Sequence, residues 1–338
     1  MINAALNKLL SDESIDDINF REVFDEIFSG LANSSTASSF ITAFDFKKAD
    51  MDVYSNAILS ARDSIKKLNF GLNKEECIEN IQFFPKNDII DISFITDIIC
   101  AANSLGVFKY SFSAPYYTNH SFNLLREFDI NFENEDINNF DVFEKTNFLY
   151  KYLNKETPYF KYALELSHNL PFDNILKYLN LMLNPFACKN CTIGVIDKEK
   201  VQFWAGICLK LNYSNSIVVS SDLGYPFISP IGKSYVAEAW KNKIFAYELT
   251  PDLIGFKEYP IEDIKCSTYS ENKEIIENIF NNKIKGVKYE FSIYNSALAL
   301  YISKKANSLM DGIDLAKKTI DDGLALEKLE QIKNTYKV

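Results

Sequence analysis

The sequence predicts an α/β protein: a small all-helical N-terminal domain, then a larger α/β domain with a mainly parallel central sheet. Three observations predict it. The first seventy residues carry helical periodicity and no strand signal. After Gly71, short β-prone runs alternate with helical ones, the order that builds strand–helix–strand units. At 338 residues, with 47% hydrophobic and 24% charged, the chain can also bury a large core split into two unequal domains.

The opening stretch reads as four short helices. Ser11, Ser34 and Asp50 are the predicted N-caps, and Gly30 the residue that ends the second helix. In the fourth helix Val53, Ala57, Ile58, Ala61, Ile65 and Leu68 recur at helical spacing and define a buried face. Residues 78–83 follow as a strand, with a turn at 84–87. Ile89, Ile92, Ile95 and Ile99 then mark a helix that stops before Gly106, and 107–112 form the next strand. Residues 130–160, rich in Asn, Glu, Phe and Tyr, give no clear order. Residues 164–183 look helical but for Pro171. Strands are expected at 192–196, 217–220 and 244–249, and closing helices near 271–281, 295–308, 313–321 and 324–336.

Charge and cysteines exclude several function classes. The net charge of −10 opposes a phosphate backbone, and no basic run offsets it, so nucleic acid is not an expected partner. Lys304-Lys305 and Lys317-Lys318 read as solvated helix faces. No membrane span is expected, and there is no basic start with an apolar segment behind it. Six cysteines do not make a disulfide scaffold, so a reducing, cytoplasmic location is the default. Cys188 and Cys191 have a metal-like spacing. A zinc site would need a second pair, however, and the only histidines are His120 and His168.

Several segments, in their order, resemble the anthranilate phosphoribosyltransferase family. Near the start these are Leu6-Asn7-Lys8-Leu9-Leu10 and Val23-Phe24-Asp25-Glu26-Ile27-Phe28-Ser29-Gly30. Further on come Asn184-Pro185 before Gly194-Val195, Val236-Ala237-Glu238, and Leu249-Thr250-Pro251 with Gly255. The closing helices match through Asn295-Ser296-Ala297-Leu298-Ala299-Leu300-Tyr301, Ala306-Asn307-Ser308-Leu309, Asp311-Gly312 and Asp321-Asp322-Gly323-Leu324-Ala325. The resemblance implies a nucleoside-phosphorylase-type architecture, with a helical domain of 1–70 joined by helices from about 160–185. The α/β domain would then span 71–160 and 186–338. It further implies a homodimer through the helical domains, and a tryptophan-biosynthesis reaction in which an aromatic amine displaces magnesium-held diphosphate from phosphoribosyl diphosphate.

The motifs that carry that reaction have changed. Where the family has a Gly-Thr-Gly-Gly-Asp loop, whose glycines let backbone N–H groups approach a diphosphate, this chain has Gln82-Phe83-Phe84-Pro85-Lys86-Asn87. Lys86 could still meet a phosphate as a point charge, or be a solvated turn lysine. The family's Asn-x-Ser-Thr has become Asp91-Ile92-Ser93-Phe94, in which Ser93 alone agrees and a carboxylate faces the anion. Lys109 in Lys109-Tyr110-Ser111 stands where the family has Lys-His-Gly, and the loop after it, through Tyr116 to His120, has become aromatic.

The acidic pair that would hold magnesium aligns with Pro226-Phe227, neither of which can ligate a metal; Asp222 lies just upstream. The family's substrate arginine aligns with Ser167, next to His168, and its Gly-Pro with Asn180-Leu181. Lys109, Ser93 and Lys86 are therefore the candidate ligand-binding residues. No catalytic residue, metal ligand or cofactor is expected. The expectation is a re-purposed or non-catalytic family member with an unknown small ligand or protein partner. The alternative is an active transferase with a displaced site built from Lys86, Lys109 and Asp222.

Overall fold

The structure is a computed structural model. It describes all residues except 12, 16–17, 48, 72, 84–87, 113–119, 135–136, 154–159, 256, 258 and 338, and only the backbone of 120 and 160. In chain order the first helices are α1 (Ile2–Leu10), α2 (Phe20–Phe28), α3 (Ser34–Phe46) and α4 (Met51–Asp63). Then come β1 (Cys77–Gln82), α5 (Ile92–Ala102), β2 (Gly106–Ser111), α6 (His120–Glu127), α7 (Asn139–Thr146) and β3 (Phe148–Tyr152). Next are α8 (Phe160–Asn169), α9 (Ile175–Leu181), β4 (Asn190–Gly194), α10 (Val201–Lys210) and β5 (Asn215–Ser221). The chain finishes with β6 (Ser234–Trp240), β7 (Lys243–Leu249), α11 (Tyr269–Phe280), α12 (Val287–Ile302), α13 (Leu309–Asp321) and α14 (Leu324–Thr335). It divides into two compact units: residues 1–69 with 153–187, and residues 70–152 with 188–338.

The first unit is helical and its core is aromatic. The buried Phe24 ring meets Phe40 at 5.7 Å and Phe44 at 5.5 Å, both edge to face, and lies 6.0 Å from Phe28. Asp50 caps α4 by accepting from the Val53 N–H. The other two expected caps are displaced. Asn33, not Ser34, caps α3, because its amide oxygen reaches the Thr36 N–H at 2.9 Å. Ser11 ends α1 rather than starting a helix. Gly30 follows α2 with φ +71°, the left-handed turn a helix end favours. Pro171 falls between α8 and α9, so the segment read as one interrupted helix is two. The start of α9 is capped from another helix: the Asp45 carboxylate accepts the Ile175 N–H at 3.0 Å. Burial pushes the Asp45 carboxyl up to about 7.

The second unit is built on one seven-stranded sheet in the order β3-β2-β1-β4-β5-β6-β7. Strands β1 to β5 pair in parallel, and β6 and β7 are antiparallel additions. The β1–α5–β2 crossover is the parallel unit the isoleucine spacing predicted. Strands β3 and β6 and helix α10 were not anticipated. Helix α12 is apolar around most of its circumference and correspondingly buried. Lys304 and Lys305 do not lie on a helix face; they form the turn that follows α12. Among the described residues no helix is long and apolar enough to cross a membrane.

Candidate functional site

Sheet register places four polar side chains on one face. Asn80 of β1 lies opposite Thr192 of β4, and Lys109 of β2 opposite Tyr150 of β3. Side chains directly opposite in paired strands share a face. The Thr192 hydroxyl donates to Asn80 Oδ1 at 2.7 Å, and the Asn80 amide donates to Asp97 Oδ1, also at 2.7 Å. The other Asp97 oxygen accepts from Lys109 Nζ at 2.7 Å and from the Tyr150 hydroxyl at 3.1 Å. Lys109 Nζ also donates to Ser93 Oγ. Asp97 thus anchors a chain of polar groups across four strands, beneath a helix whose other residues from Ile92 to Ala101 are buried.

Burial and the internal partners act on Asp97 and Tyr150. Asp97 is fully buried, which pushes its carboxyl up, while Lys109 and the Asn80 amide pull it back toward the ionised form. Tyr150 is pushed well above its ordinary value by burial and by the neighbouring carboxylates Asp97 and Asp91, so it stays a neutral donor. Lys109 was expected as a ligand contact. The structure instead gives its ammonium two internal partners, Asp97 and Ser93, and leaves it buried.

The amino terminus of α5 is likewise satisfied from within. Asp91 is its N-cap: Oδ1 accepts the Phe94 N–H at 2.9 Å and Oδ2 accepts the Ser121 hydroxyl at 2.8 Å. The Asp91 N–H donates to Asn272 Oδ1 at 3.1 Å. A helix amino terminus attracts anions because its first N–H groups lack partners; here a carboxylate of the chain already sits there.

The apolar residues beside this region are packed closed. Phe83 is buried with its ring 4.5 Å from that of Trp204. Gly194 ends β4 where Pro226 presses on it: a Cβ at 194 would lie 1.8 Å from the Pro226 carbonyl oxygen. Phe227 is buried edge-on to Phe291 at 5.9 Å. Asn295 of α12 clamps the segment through Ile228, accepting its N–H at 3.0 Å and donating to its carbonyl at 2.9 Å.

The remaining expected residues lie elsewhere. Asp222 belongs to an exposed cluster in which Oδ1 accepts from the Tyr235 hydroxyl at 2.8 Å and Lys198 Nζ at 3.1 Å, and these two donors hold its carboxyl low. Ser93, expected as a ligand contact, accepts from Lys109, whereas Lys86, Phe84, Pro85 and Tyr116 fall outside the described residues. Ser167, in the first unit, is buried and its carbonyl accepts from the Asn174 amide.

Asp97, Asn80, Thr192, Tyr150, Ser121 and Asn272 were missed. For Asp97 a signal existed: one acid in the run Ile92–Ala102, four residues after Ser93 on the same helix face, has to be paired if the helix is buried. The others became visible only through strand register and long-range packing.

The fold and this region define an α/β protein of the kind that offers a ligand the carboxyl edge of a parallel sheet beside a helix amino terminus. The chain belongs to the glycosyl transferase family: the model for that family's a/b domain matches residues 86–326. It is similar along its length to the anthranilate phosphoribosyltransferase of Acetivibrio thermocellus, 25% identical over 98% of this chain and 95% of that protein. It is likewise 26% identical to that of a Thermoanaerobacter species, over 98% of each. Among solved structures, the anthranilate phosphoribosyltransferase of Thermus thermophilus superimposes with a TM-score of 0.87 at 19% identity, covering 99% of both chains. That of Saccharomyces cerevisiae in complex with PRPP and Mg gives 0.84 at 18% identity, covering 99% of this chain and 98% of that one.

Proposed function

We propose that this chain is a re-purposed member of its family that does not transfer phosphoribosyl to anthranilate and takes a less charged ligand or a protein partner instead. One observation carries the reading. Both cationic features at the carboxyl edge, the α5 amino terminus and Lys109, are already matched by carboxylates of the chain, Asp91 and Asp97. A diphosphate arriving there would meet the Asp91 carboxyl and the Asp97–Lys109 pair in place of an open cation. Pro226 and Phe227, buried where the resemblance puts the metal pair, support the same reading, since neither side chain can hold a hard cation.

An assay with anthranilate, phosphoribosyl diphosphate and magnesium tests it. The expected result is no turnover above background and no rise in melting temperature at millimolar phosphoribosyl diphosphate, because a ligand that binds the native state must stabilise it. Robust turnover would overturn the proposal in favour of the alternative, an active transferase with a divergent site, which the whole-length similarity to anthranilate phosphoribosyltransferases supports.

We also propose a homodimer through the helical unit. That unit exposes Leu10, Leu31 and Phe46 at 70%, 81% and 81%, apolar surface that association would cover. A cytoplasmic location fits six cysteines that are all buried.

A further inference from the structure

The opposite edge of the same sheet carries a second polar cavity, of about 860 Å³. It opens at the amino ends of β4 and β5, beside Asn190 and Asn215, whereas Asp91 and Lys109 belong to the other end. Two turns supply its cations: Lys241 from the β6–β7 turn, and Lys304 and Lys305 from the turn after α12. None of the three makes an ion pair among the described residues; Lys241 lies over the Trp240 ring at 4.9 Å. Of the two acids in the wall, Glu75 and Glu76, the first is held by the Ser214 hydroxyl at 2.9 Å.

One further observation separates this cavity from an ordinary patch of surface lysines. Ser303 Oγ is buried in the wall with no hydrogen-bond partner, although a hydroxyl at a helix end has carbonyls of the preceding turn within reach. Lys241 and Asn242, at φ +48° and +59°, form the two-residue hairpin turn that requires such angles, and that turn brings Lys241 to the cavity.

We propose that this cavity binds a small phosphate monoester carrying a planar ring, of the nucleoside monophosphate class. Lys304 and Lys305 take the phosphate as point charges, and the ring lies against Trp240. The three ammonium groups outnumber the two carboxylates, which suits an anionic phosphate, and a flat ring suits an indole wall. This reading does not depend on what the carboxyl edge does.

Calorimetry with adenosine 5′-monophosphate on the full chain tests it, with tryptophan fluorescence reporting location. Only Trp204 and Trp240 contribute fluorescence, and Trp204 is 3% exposed. The expected result is saturable binding that quenches Trp240, weakened at least about tenfold in a Lys304→Glu, Lys305→Glu variant. That variant should keep the native circular dichroism spectrum, and a charge-matched control at an exposed lysine outside the cavity, Lys265→Glu, should bind as the parent does. No binding up to about 5 mM overturns the proposal. So does binding that survives the double substitution, or that Lys265→Glu weakens as much.

Discussion

The two ends of the central sheet treat charge in opposite ways. At the carboxyl end the described cationic features are answered from inside: Lys109 by Asp97 and the α5 amino terminus by Asp91. At the amino end Lys241, Lys304 and Lys305 gather around a cavity whose wall also holds Glu75 and Glu76, with no ion pair to either among the described residues. One sheet thus carries a charge network that has become part of the core and a charge cluster that remains available to solvent. A buried charge is costly unless paired, so the first kind is held in place by stability; the second is not.

The largest expected effect lies at the carboxyl end. Lys109→Met should destabilise the chain by about 3–5 kcal/mol in urea unfolding, because it leaves Asp97 buried without its cation. Adding Asp97→Asn should recover most of the loss. If Lys109→Met costs little and Asp97→Asn costs more, the pair is not coupled and the contrast between the ends fails.

Next comes Asp45, a half-buried carboxylate that accepts a backbone N–H rather than facing a lysine. Its carboxyl is raised from 3.8 to about 7 by burial, so between about pH 4 and 7 the folded state holds a proton the unfolded chain has released. Stability from this group therefore falls as pH rises through that window, and the loss is complete above it. Asp45→Asn keeps an acceptor for Ile175 and removes the charge. It should stabilise the protein by about 1–2 kcal/mol at pH 8, with a smaller gain at pH 5. A pH-independent effect would show that burial does not govern this carboxyl, and would weaken the same argument for Asp97.

The smallest effect belongs to the amino end. Lys304→Glu with Lys305→Glu should change unfolding stability by no more than about 0.5 kcal/mol, as unpaired surface charges do. A loss of several kcal/mol would mean that the two ends do not differ after all.

The sequence announced the local elements and concealed the long-range ones. The isoleucines from Ile89 to Ile99 and the break at Gly106 placed α5 within about three residues and β2 within one, because helical spacing is a local property. Strand β3 lay hidden in an Asn- and Phe-rich stretch, and β6 reads Ser-Tyr-Val-Ala-Glu-Ala-Trp, which is neither cleanly alternating nor continuously apolar. Lys109 was recognised as a residue of consequence. Its partner was not, since only the crossover brings Asp97 of α5 beneath β2. Register decided the site: without knowing that Lys109 faces Tyr150 and Asn80 faces Thr192, no spacing along the chain could have joined them.

The contact between Gly194 and Pro226 bears on the history of the chain. A carbonyl pressed against a glycine, with Phe227 seated beside Phe291 and Asn295 latching the segment, is a joint that later substitutions have to respect. Replacing Pro226 and Phe227 by acids, one at a time, would bury a lone carboxylate against a phenyl ring at each step. Neither intermediate would fold as well as the present chain. At that position single acidic substitutions are closed to the chain as it is packed now.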